Sequence, residues 1–203
     1  ALDDEALGLM HESGCNHIGY APESWSDETL KLIKKKIKKE KMSESISSAL
    51  KKKLVVKVSF VIGFPHESIR HLLENVPALA RLAFLGVHGV AIIPFTPYPG
   101  SELFESLKGK EKLIINDNYF HDLLRYCGLS APLSYSDQIS NKQLTVFNFG
   151  FMALFYSLSF LFRPNRFASM LLSLVNNKPT NRFEKALGKL KMKRLLFRKT
   201  LSS

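Results

Sequence analysis

Three times in this chain an apolar, β-branched run ends in a turn marked by proline or glycine, and the turn opens a helix. The segments are 18–24 (IGYAPES), 61–68 (VIGFPHES) and 94–104 (PFTPYPGSELF). Strand alternating with helix leaves few architectures open: the strands run parallel and the helices serve as crossovers. Proteins built this way place their ligand-contacting loops outside the carboxyl ends of the strands. All three segments stand at such ends, so a site is to be sought where they converge.

The elements around them read clearly. Apolar spacing predicts a first helix over 2–13, with Gly14 as its C-terminal glycine, and a strand over 15–20. Ser26 gives a helix start, and a second helix over 43–53 completes the crossover. Residues 54–64 form the plainest strand, and its two parities differ. Val56, Val58, Phe60 and Ile62 suit a dry core beneath helices, whereas Lys57, Ser59, Val61 and Gly63 are smaller and more polar, as a face toward a ligand-sized lumen would be. A helix over 68–85, bent at Pro77, leads to a third strand over 87–95. Right-handed crossovers then make a contiguous, curved half-sheet with two open edges.

Beyond Gly109 strand signals stop, and helices are expected over 117–127 and from 140 onward. The division expected is 1–109 and 110–203. Residues 144–162 carry no charge, which reaches the lower limit for a membrane span, and Arg163 to Arg166 interrupt the run before a second apolar stretch over 167–175. Together with the basic tail this reads as an interfacial anchor, with Arg163 and Arg166 at headgroup level. A helical hairpin buried against the sheet and a true span are the alternatives.

With 203 residues, 45% of them hydrophobic, the chain can bury a core. The net charge of +11 is concentrated over 31–53 and 178–199. A solvated helix face accounts for the first cluster, and the second, beside an apolar stretch, suits an anionic membrane surface better than a nucleic acid. Cys15 and Cys127 lie far apart and read as small buried hydrophobes, so neither a disulfide framework nor a protein metal site is expected. A reducing cytoplasm fits, with a peripheral place at the inner face of the membrane. Ala1 is no start methionine, and the chain reads as a piece of something longer.

In order and wording, the three segments resemble the second half of a radical S-adenosylmethionine enzyme barrel, most nearly members that carry a cobalamin-binding domain upstream. The resemblance covers residues 1–107, and the segments akin to IGFPGET and PYPGSEL are its most specific parts. It implies an α/β fold: a partial (β/α) barrel of parallel strands, the C-terminal half of the family's barrel, followed by a helical region. It also implies that a partner, the missing N-terminal barrel half, holds an iron–sulfur cluster on a Cys-x-x-x-Cys-x-x-Cys loop absent from this sequence. In the family that cluster cleaves S-adenosylmethionine to a 5'-deoxyadenosyl radical, and cobalamin-dependent methyl transfer or a ring-forming oxidation are candidate outcomes. A small-molecule or lipid-like substrate fits the apolar region.

The resemblance assigns cofactor-binding residues one by one. Tyr20, Glu23 and Ser24 fall on the first strand-end motif, although Glu-Ser before a helix is also ordinary capping. Ser59, Val61 and Gly63 match a strip that contacts the adenosyl group, with Gly63 allowing close approach. Phe95, Thr96 and Pro97 match a loop bordering adenine, and Tyr98 with Phe95 supplies a flat wall. His66 reads as a turn residue rather than a general base. Lys57 points to the lumen as a substrate anchor or snorkels to solvent. The rival readings are a membrane-surface module without catalysis and a basic RNA-binding fragment.

Overall fold

The computed structural model describes residues 2–110, 113–125 and 133–176. Helix α1 (Asp4–Glu12) is capped by the Asp3 carboxylate and leads to strand β1 (His17–Glu23). Helices α2 (Asp27–Leu32) and α3 (Lys39–Lys51) form the crossover to β2 (Val55–Ile62). Helices α4 (Ile69–Leu73) and α5 (Asn75–Leu85) lead to β3 (Gly89–Pro94). The chain continues through α6 (Glu102–Gly109), α7 (Asp117–Arg125), α8 (Asn141–Phe162) and α9 (Pro164–Val175). The strands form one parallel sheet in the order β1-β2-β3, so the protein is α/β with a helical C-terminal region.

The alternation along β2 is realised as the sequence indicates. Val56, Val58, Phe60 and Ile62 are fully buried and share one apolar cluster with Leu7, Ile46, Leu72, Leu79 and Leu82 from the helices. Burying each such side chain stabilises the fold by roughly 1.5–3 kcal/mol. Lys57 on the opposite face is exposed, and Ser59 and Val61 are half-buried.

Several boundaries move for local reasons. The helix expected over 68–85 breaks in two at Glu74. Pro77 sits four residues after Leu73, so it offers no N–H to the Leu73 carbonyl and its ring crowds that oxygen, which places the break ahead of the proline. Helix α3 begins a turn earlier than expected, at Lys39. Strand β1 runs on through Pro22 to Glu23, with its register against β2 shifting between Tyr20 and Glu23. Pro22 has no N–H for the ladder, and an edge strand tolerates that loss.

Helix α8 opens with a capping box, Ser140 with Gln143, and then packs against α5 and β3. Leu144, Asn148, Phe151, Met152, Phe155, Tyr156 and Ser159 form its buried stripe at helical spacing, and most of them join the cluster under the sheet. A second cluster joins Phe64, Phe95 and Phe104 to Leu113 and Tyr119. Apolar packing is therefore continuous across position 109. Among the described residues α8 is long and apolar enough to cross a membrane, yet this stripe lies inside the fold.

Arg163 and Arg166, expected at headgroup level, instead cap the end of α5. Arg163 donates to the carbonyls of Ala83 and Phe84 at 3.0 and 3.1 Å. Arg166 donates to those of Gly86 and Val87 at 2.8 and 2.7 Å. Last-turn carbonyls lack intrahelical partners and attract cations, which is why two guanidinium groups gather there. Cys127 and the basic stretch over 178–199 lie outside the described residues.

Candidate functional site at the strand ends

At the carboxyl ends of the strands lies a cavity of about 300 Å³, bordered by Glu23 from β1, Val61 from β2 and Phe64 just after it, and Phe95, Thr96 and Tyr98 after β3. Ile33 and Lys35, from the turn after α2, close one side. Five of the residues singled out in the sequence, Glu23, Val61, Phe95, Thr96 and Tyr98, thus meet in one place, with at least one from each segment.

Glu23 owes its position to backbone geometry. It follows the register shift with a φ of +67°, a conformation rare for a residue with a side chain and a marker of sites where structure is held against strain. Its carboxylate is 3.2 Å from the Lys35 ammonium. Lys35 is brought there by a Schellman turn: Lys34 takes the left-handed conformation at φ +55°, and the Lys35 N–H returns to the Leu30 carbonyl at 2.9 Å. The pair is partly exposed, so both members can be recruited by a polar ligand. Phe64 and Phe95 stack at 5.1 Å with their planes 41° apart, forming an aromatic wall.

The loop after Glu23 is pinned from a distance. Asn75, fully buried at the start of α5, accepts a 2.6 Å bond from the Trp25 N–H and donates through Nδ2 to the Leu72 carbonyl at 3.1 Å. Ser24 is fully buried as well, accepting from the Ser26 N–H at 3.1 Å. Its hydroxyl therefore builds the loop and does not border the cavity, while the N-cap of α2 is Ser26, whose side chain accepts from the Thr29 N–H.

The remaining sequence candidates fall elsewhere. Tyr20 shares the parity of Val58 and points under the helices, where its hydroxyl bonds Ser45 at 2.9 Å. Pro97 is buried, and its carbonyl accepts from the Tyr119 hydroxyl at 2.8 Å, which anchors the loop from behind. Gly63 has a φ of +85°, but its open side is filled by protein: a Cβ there would stand 2.9 Å from Leu144 Cδ1. The close approach that Gly63 permits is that of helix α8. Ser59 borders a separate cavity of about 460 Å³ at the other end of the open sheet face, together with Lys57, His17, His88 and Arg166. There His88 Nδ1 accepts from the Val56 N–H at 3.1 Å, and burial followed by Arg166 pushes the imidazole pKa down.

Beneath the β2 turn lies Glu67, which the sequence did not single out. Its Oε2 accepts from the backbone N–H groups of Gly63 and Phe64 at 2.6 and 3.3 Å, and the residue is 1% exposed. Burial raises its pKa from 4.5 to about 7, against the lowering effect of those two N–H groups and of His71 and Thr29. The His71 ring is itself bonded to Glu28 at 2.9 Å. Glu67, Asn75 and Lys35 gave no local sequence signal: one is two residues past a proline, one sits inside a helical run, and one is in a lysine tract.

Among the described residues no three His, Cys, Asp or Glu side chains stand together as a metal ion would require. Of the ten lysines over 31–53, four are in ion pairs: Lys34 with Glu102, Lys35 with Glu23, Lys39 with Asp27 and Lys52 with Asp4.

No protein-family model matches the chain. Over 105 residues it is 34% identical to an uncharacterized methyltransferase of Pyrococcus horikoshii. The match covers 51% of this chain and 22% of that protein, so the chain spans about a fifth of the relative's length.

Proposed function

We propose that the strand-end cavity receives S-adenosylmethionine, and that the chain forms the C-terminal half of a radical S-adenosylmethionine barrel within a longer, methyltransferase-related enzyme. The observation that carries this reading is the convergence of Glu23, Val61, Phe95 and Thr96 on one cavity from all three strand ends. The similarity to a named methyltransferase supports it.

Each residue has a physical task in this reading. Glu23 accepts hydrogen bonds from the ligand's ammonium or ribose hydroxyls, and Lys35 holds that carboxylate ready. Phe64, Phe95 and Tyr98 give the adenine a flat apolar surface and exclude water, while Thr96 offers a hydroxyl at the rim. When bound, the ligand supplies an activated sulfonium carbon. The described residues do not fit an iron–sulfur cluster, since Cys15 is the one cysteine among them and no metal-binding group forms. Cluster ligands and any cobalamin-binding segment belong, in this reading, to other parts of the longer polypeptide. In this reading the described helices beyond residue 109 serve as an appendage packed on the 1–109 unit.

Isothermal titration of the chain with S-adenosylmethionine tests the reading. Saturable binding is expected, weakened about tenfold by Glu23→Ala, the equivalent of ~1.4 kcal/mol for one charge-assisted bond. Cys15→Ala should leave the affinity unchanged. Absence of saturable binding, or equal affinity for Glu23→Ala and wild type, overturns the assignment.

A further inference from the structure

Helix α9 leaves an apolar side facing outward. On an α-helix, residues three and four apart share a face, so Arg166, Ser169, Met170 and Ser173 lie along one side and Phe167, Leu171 and Leu172 along the other. An amphipathic helix of a soluble fold puts its apolar side inward. Here apolar residues lie on both sides: Met170 is buried and, with the half-buried Arg166, borders the cavity on the open sheet face, while the opposite side is apolar too. Phe167, Leu171 and Leu172 are 46%, 46% and 63% exposed. Aromatic contacts join this helix to its neighbours: Phe167 meets Phe160 of α8 at 5.5 Å, and Phe162 of α8 meets Phe84 of α5 edge to face at 5.4 Å with both rings exposed, beside a Leu161 that is 73% exposed.

We propose that this outward apolar face of α8 and α9 is an interfacial docking surface for an anionic lipid bilayer. An exposed apolar area of this kind, joined across three helices, is a contact surface in search of a partner. Charge identifies the partner. Directly after α9 the sequence carries nine lysines and arginines over residues 178–199 against the single acid Glu184. Each such cation near an anionic leaflet adds attraction, whereas two copies of this chain meeting through the same face would bring two strongly basic stretches together. A helix lying in the bilayer plane needs an apolar side facing away from the protein, which α9 has. This inference does not depend on what the strand-end cavity binds.

Flotation of the 203-residue chain with phosphatidylcholine vesicles, with and without phosphatidylglycerol, tests it. Binding is expected to the anionic vesicles, weakened by salt and lost by about tenfold or more in the Leu171→Asp, Leu172→Asp double variant. The double variant should melt at the wild-type temperature, since both residues are exposed. A Leu9→Asp control, on an exposed apolar residue of α1, should bind as wild type. No flotation with either vesicle, equal flotation with uncharged vesicles, or an undiminished double variant overturns the proposal. A concentration-dependent dimer abolished by the same double variant would assign the face to a second copy instead.

Discussion

The backbone N–H of Gly63 donates a 2.6 Å hydrogen bond to Oε2 of Glu67, so the turn at the end of the central strand is closed by a buried carboxyl group four residues further on. The Phe64 N–H shares the same oxygen at 3.3 Å. Phe64 lines the candidate site, and Glu67 holds the turn from which it projects.

Glu67 should make the fold less stable as pH rises. In the unfolded chain its carboxyl ionises near 4.5, whereas in the fold burial holds the proton until about 7. Stability contributed by the protonated form is complete below pH 4.5 and is lost between there and 7, an expected decline of about 3 kcal/mol. Urea unfolding across this range, on wild type and Glu67→Gln, measures it. The amide keeps an acceptor for Gly63 and cannot ionise, so the variant should lose the decline; an unchanged decline would contradict its assignment to Glu67.

Gly63→Ala should destabilise the chain by about 1–3 kcal/mol, because the left-handed backbone disfavours a side chain and the new Cβ meets Leu144. Leu144→Ala alone should cost about 2–5 kcal/mol, since the side chain is fully buried. Combined, the two should cost less than their sum, because the smaller residue at 144 admits the Cβ. Strict additivity in urea unfolding would place Leu144 away from the turn.

Asn75→Ala should separate stability from ligand affinity when compared with Glu23→Ala. Removing Asn75 leaves the Trp25 N–H without its 2.6 Å partner and should cost about 1–3 kcal/mol, while also loosening Glu23 and weakening S-adenosylmethionine binding. Glu23→Ala should weaken binding with little loss of stability, since Glu23 is partly exposed and its φ of +67° is unfavourable for any side chain. Paired thermal melts and titrations read both effects.

Arg166→Ala should cost about 2–3 kcal/mol, because two carbonyls at the end of α5 lose their charged donor inside the fold. Arg166→Lys should recover only part of this, as an ammonium cannot span both oxygens in the planar fork of a guanidinium. Equal stability for the lysine variant and wild type would show that one carbonyl contact suffices.

What could be read from the sequence follows the range over which each signal acts. The alternation of Val56, Val58, Phe60 and Ile62 with Lys57, Ser59 and Val61 is local, and the structure realises it residue for residue. The convergence of Glu23, Val61, Phe95 and Thr96 follows from parallel topology, which brings strand ends together whatever the loops do. Tyr20 follows from the alternation, since it pairs in register with Val58 and points under the helices, whereas Glu23 and Ser24 could not be placed this way, because the register shifts between Tyr20 and Glu23. The filling of the space over Gly63 by Leu144, and the capture of α5 by Arg163 and Arg166, join residues about eighty positions apart and leave no trace in local pattern.

The most direct measurement of the central claim is ultraviolet cross-linking of S-adenosylmethionine to the chain, followed by mass mapping of the adduct. The base, stacked on the aromatic wall, should label peptides containing Phe64, Phe95 or Tyr98, and excess S-adenosylhomocysteine should abolish the label. Adducts confined to the strand-entry cavity around His17 and His88, or labelling that the competitor does not reduce, would contradict the account.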